Sequence, residues 1–137
     1  RSPKWTREEC VLALDLFVRA GRKQVDKKRP EIVELSRCLQ ILPIYPPSER
    51  GKPFRNPGSV ALKLGNFCAL DPACPGQGRP NVSTLDQEVW SEFEHDEPGL
   101  RAEADAIRRR FNYPLLTYRS VESALNRVDA AEYETKG

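Results

Sequence analysis

Between its prolines and glycines, this chain carries apolar residues at helical spacing, and that constrains its fold more than any single motif. Val60, Leu64 and Phe67 recur at i, i+4 and i+7, and Leu100, Ala104, Ile107 and Phe111 repeat the pattern. No segment sustains the period of two that a half-buried strand needs. Helical stripes cut by Gly/Pro loops predict an all-α fold, a compact single domain of five to six helices with two long functional loops. With 137 residues the chain is expected to form one domain over 1–137, large enough for a core without staples.

The helix boundaries are legible from capping chemistry. Thr6 and Glu9 have capping-box spacing ahead of Cys10, Val11, Leu14, Phe17 and Val18, and Gly21 supplies a stop. Trp5, just before the cap, is placed to staple against Cys10 or to pack on the core. Pro30 opens a second helix with Ile32, Leu35, Leu39 and Leu42 inward, and Pro43 closes it. Thr84 with Gln87 suggests another capping box before Leu85, Val89, Trp90 and Phe93, and Pro98 is expected at the first position of the next helix. A last helix is expected from Ser120, with Val121, Leu125 and Val128 inward.

The stretch 54–72 is the most fully punctuated. Asn56 is a good N-cap, Pro57 fits the first helical position, and Asp71-Pro72 ends the helix because a residue before proline is driven from helical geometry. The loop ahead of it, YPPSERGKPFR, carries three prolines and three cations. A basic loop feeding a helix N-terminus, whose first N–H groups face outward, suits an anion such as phosphate.

Charge is divided along the chain. Residues 1–70 hold 14 Lys/Arg against 7 Asp/Glu, a net +7, whereas residues 71–137 hold 8 against 13, a net −5. A basic face for a polyanion follows, with an acidic side turned elsewhere. The connector RKQVDKKR at 22–29 is read either as solvated loop or as a segment touching a nucleic-acid backbone. The Arg108–Arg110 cluster suits the C-terminal end of a helix dipole.

Several chemistries find no support. Cys10, Cys38, Cys68 and Cys74 form no CxxC pair and His95 is the only histidine, so neither a zinc site nor another metal or cofactor is expected. His95 sits in an acidic run, EFEHDE, without a nucleophile at readable spacing, and no phosphate-cradling glycine motif occurs. The chain is therefore read as a binding module rather than an enzyme. The cysteines are expected as reduced thiols in a cytoplasmic protein, Cys74 the most exposed, because no signal peptide or membrane-length apolar run is visible. Asn81-Val82-Ser83 matches a glycosylation sequon that such a compartment would leave unused. The absence of methionine suggests a piece of a larger protein.

The segments WTREECVLALDLF at 5–17, FRNPGSVALKLGNF at 54–67, LDP at 70–72 and LDQEVWSEF at 85–93 together resemble a family of bacterial modules. Those modules lie N-terminal to HNH nuclease domains in modification-dependent (type IV) restriction endonucleases, and the pattern is also similar to sulfur-binding domains that recognise phosphorothioate DNA. The likeness spans residues 5–95, and RNPxxVAxKLxNF is its most specific part. It implies a module that recognises phosphorothioate-modified double-stranded DNA for bacterial defence. The HNH nuclease domain would be separate, because residues 1–137 contain no HNH signature.

A phosphorothioate keeps the phosphate charge but replaces one oxygen with larger sulfur, a poorer hydrogen-bond acceptor. Its reader must attract the charge and offer sulfur an apolar wall, where oxygen would lose hydration at a cost of ~1–3 kcal/mol. The expected wall is Pro57 with Val60 or Ala61 and Tyr45; Asn56, Gly58 and Ser59 are the expected donors to the remaining oxygen. Arg55 and Arg79 are expected to clamp the modified phosphate or a base edge, while Lys4, Arg7, Lys52 and Lys63 bind flanking phosphates. Competing readings are a reader of methylated bases or plain DNA sequence, and a helical protein-interaction module, with a homodimer formed through the parent protein as a further partner.

Overall fold

The computed structural model describes residues 3–51, 53–74 and 82–111. Five α-helices follow one another: α1 Arg7–Arg19, α2 Pro30–Ile41, α3 Pro57–Leu70, α4 Thr84–Phe93 and α5 Glu97–Arg110. A short 3-10 turn at Pro47–Glu49 interrupts the α2–α3 connection, and there is no strand among the described residues. The domain is all-helical, as the apolar spacing predicts. The helix expected from Ser120 lies outside the described residues.

The first helix occupies the centre. Its capping box forms as expected: the Thr6 hydroxyl accepts from the Glu9 N–H at 3.3 Å, and Glu9 Oε1 accepts from the Thr6 N–H at 3.0 Å. Every residue from Glu9 to Phe17 is buried, and α1 packs against all four other helices. A helix without a solvent face belongs in a core. Gly21 follows its C-cap at φ +96, a conformation that glycine enters without Cβ strain.

The remaining helices each direct one stripe at α1. Ile32, Leu35, Leu39 and Leu42 do so around α2, and Val60, Leu64 and Phe67 from α3. Val89, Trp90 and Phe93 come from α4, and Leu100, Ala104 and Ile107 from α5. Fully burying each of the larger side chains contributes ~1.5–3 kcal/mol. Phe17 and Phe67 meet with ring centroids 6.5 Å apart, joining α1 to α3.

Two helix starts differ from expectation by one residue. Ser83, not Thr84, caps α4, and its box partner is Asp86 rather than Gln87. Asp86 is fully buried and also binds Lys63 and Asn66 of α3, whereas Gln87 is exposed, so tertiary contact fixes the phase of this helix. Asp96 caps α5 through the Gly99 N–H at 2.9 Å, placing Pro98 second in the helix, not first.

Among the described residues, three buried ion pairs cross the core: Glu9–Arg55 at 2.6 Å, Asp15–Arg108 at 2.6 Å and Asp86–Lys63 at 2.8 Å. Arg108 is thus a clamp between α5 and α1, while its neighbour Arg109 is exposed.

Cys68 and Cys74 form a disulfide, contrary to the expectation of reduced thiols throughout. The turn after α3 explains the pairing: the Cys74 N–H donates to Asp71 O at 3.0 Å, which brings the two Cα atoms to 5.2 Å. Cys10 and Cys38 stay as buried free thiols.

Candidate nucleic-acid interface

The start of α3 is built as the sequence suggests. The Asn56 side chain accepts from the Ser59 N–H at 2.8 Å, and Pro57 occupies the first helical position. Pro57 has no N–H and that of Ser59 is taken by the cap, which leaves the Gly58 N–H as the outward donor of this turn.

Beside this turn runs an open groove of about 620 Å³. Gln24, Val25, Asp26 and Lys27 form one wall; Asn56, Gly58, Ser59, Ala61, Leu62 and Gly65 form the other. The basic connector after α1 and the first turns of α3 therefore face each other across one opening. Lys23, Lys27 and Lys28 are exposed and form no ion pair with the described carboxylates. Leu62 is the apolar element of the helix wall, 53% exposed. Val25, Leu62 and Gly65 were not singled out from sequence; the exposed side of a helix stripe is legible only once its partner is known.

The expected contact residues divide into distinct groups. Asn56, Gly58 and Ser59 line the groove together with Ala61. Pro57 is half-buried beside them. Val60 is completely buried and lies in the core, so it forms no wall. Tyr45 lies elsewhere: its ring meets Phe54 edge-on at 6.3 Å and its hydroxyl donates to Lys4 O at 2.6 Å.

Of the four described cations expected at phosphate, three instead hold internal partners. Arg55 is 1% exposed. Its Nε donates to Glu9 Oε2 at 2.6 Å, Nη2 to Glu9 Oε1 and Lys4 O at 3.0 Å each, and Nη1 to Pro3 O at 3.0 Å. Lys63 is buried against Asp86. Arg7 bridges Glu103 and Glu92, both at 2.7 Å, and the Glu103 hydrogen bond foremost raises its pKa above the usual value. Lys4 remains exposed. Lys52 and Arg79 lie outside the described residues.

The charge of Arg55 and Lys63 is screened by aromatic rings as well as carboxylates. Trp5 packs on the core with the Arg55 guanidinium 4.8 Å and Lys63 Nζ 5.0 Å from its ring centroid. The Arg55 guanidinium also lies 4.3 Å from the Phe54 centroid. A smaller opening of about 180 Å³ is bounded by Gln40, Pro47, Arg50, Gly51 and Phe54. Among the described residues no cluster of His, Cys, Asp and Glu could hold a metal ion, and no helix is long and apolar enough to cross a membrane.

No protein-family model, curated protein or solved structure matches the chain.

Proposed function

We propose that this domain binds double-stranded DNA along the α3 groove and reads a phosphorothioate linkage there, directing a separate HNH nuclease domain of a modification-dependent restriction enzyme. The observation that supports it is the juxtaposition of the lysine-rich connector with the Asn56–Ser59 turn across one open groove. Lys23, Lys27 and Lys28 attract the polyanion, and the Gly58 N–H and Ser59 hydroxyl face the phosphate oxygen. Ala61 and Leu62 offer carbon surface to sulfur, and Pro57 withholds a donor that sulfur would satisfy poorly.

A reader of methylated bases would call for an open aromatic cage. Trp5 and Phe54 instead turn toward Arg55, and Tyr45 toward Phe54, which favours a backbone reading. The test compares matched duplexes with and without one phosphorothioate linkage. Tighter binding of the sulfur duplex is expected, and equal affinity defeats the sulfur reading. Pro57→Ala is expected to lower the preference for sulfur more than the affinity for ordinary DNA. A stable dimer with no salt-sensitive DNA binding would favour the interaction-module reading.

A further inference from the structure

We infer that Arg55 is a positioning residue that aims the first turn of α3, with Glu9 as its anchor, rather than a group that touches the ligand. This rests on the reading of the α3 groove as the binding site.

Arg55 is a non-glycine residue at φ +48, directly before the Asn56 cap. The left-handed region is disfavoured for a residue with a Cβ, and such a conformation persists only where its surroundings enforce it. Here they do so from both ends of the residue. The side chain reaches the Glu9 carboxylate and the carbonyls of Pro3 and Lys4. Its own carbonyl accepts from Ser36 Oγ at 2.7 Å and Gln40 Nε2 at 3.4 Å on α2.

The left-handed residue reverses the path of the loop so that Asn56 enters extended geometry, at φ −67 and ψ 167, and can cap the Ser59 N–H. Glu9 is itself fixed by the Thr6 capping box on α1. The orientation of the groove's donor turn is therefore referred to the central helix through one carboxylate. Phe54 and Trp5 flank the guanidinium, leaving a fork-shaped cation as the group that spans all three acceptors.

The experiment uses Glu9→Gln, Arg55→Lys, Arg55→Gln and Ser36→Ala in this domain, the last of which leaves both charges in place. Amide hydrogen exchange is followed at Ser59 and Val60, with Ala104 and Ile107 of α5 as the reference, together with DNA affinity across a salt series. Exchange at Ser59 and Val60 should accelerate about tenfold or more in each variant that folds while α5 stays protected. Affinity should fall with an unchanged salt slope. Uniform acceleration in both helices, or none at Ser59 and Val60, overturns the inference whether or not DNA binds. A salt slope reduced by about 1 in Arg55→Gln, which removes the charge, makes Arg55 a phosphate contact and also overturns it. Absence of DNA binding by the unaltered domain defeats the groove reading alone, since the exchange data still decide what Arg55 positions.

Discussion

Lys63 Nζ stands 2.8 Å from Asp86 Oδ1, so the lysine of the FRNPGSVALKLGNF segment faces the core rather than a ligand. Asp86 also accepts from Asn66 Nδ2 at 3.1 Å and from the Ser83 N–H at 3.2 Å, joining α3 to the start of α4. Removing one member leaves the other buried and unpaired. Asp86→Ala should lower unfolding free energy by about 3–5 kcal/mol, and pairing it with Lys63→Met should recover part of that loss. Urea unfolding of the single and double variants measures both.

The capping role of Asn56 can be separated from its place in the groove. Asn56→Ala removes the acceptor for the Ser59 N–H and should cost about 0.5–2 kcal/mol. Asn56→Asp keeps that acceptor and adds a charge the helix N-terminus favours, so stability should hold or rise. The same charge repels phosphate. DNA affinity should fall in both variants, and thermal melts beside binding isotherms show whether Asn56→Asp uncouples the two.

Exposed cations should divide by location. Lys27 borders the groove and Lys28 follows it, whereas Arg109 is an exposed residue of α5 outside the groove lining. Lys27→Ala with Lys28→Ala should reduce the salt slope of DNA binding by about 2 with little change in melting temperature. Arg109→Ala should leave both nearly unchanged. Equal effects at the two places would mean diffuse attraction rather than a groove.

Thiol chemistry gives a sign that can be worked out in advance. Burial, above all, pushes the Cys10 and Cys38 thiols from 9.0 up to about 12. Between those values the unfolded chain releases protons that the folded chain retains, so stability is full below pH 9 and falls as pH rises toward 12. Urea midpoints across that range should decline, and alkylation of the native protein at pH 8 should be slow. Reducing the Cys68–Cys74 bridge should cost about 2 kcal/mol, because it closes a short loop.

Local rules were legible where they act without competition. The Thr6 box, the Asn56 cap and Pro57 at the first helical position needed only neighbours in sequence. At Ser83 the local signal misplaced the cap by one residue, since Lys63 and Asn66 recruit Asp86 across space. The same limit governs the site. A basic residue beside a helix start reads as a ligand contact, but Arg55 and Lys63 have carboxylates 46 and 23 residues away that no spacing rule reveals. The connector lysines were legible as charge; their position opposite α3 was not, because it depends on how α1 and α3 pack. Cys68 and Cys74 lack a motif spacing, and their approach comes from the turn at Asp71.

The enclosure of α1 also governs the order in which this chain can assemble. Its earliest helix has partners as distant in sequence as Arg108, which reaches Asp15 across 93 residues. During synthesis α1 would wait with its apolar surface uncovered until α5 had emerged, so folding should proceed by late, collective closure around the first helix rather than by stepwise addition to it. Fragments ending before α5 should be prone to self-association, even though they retain both walls of the groove.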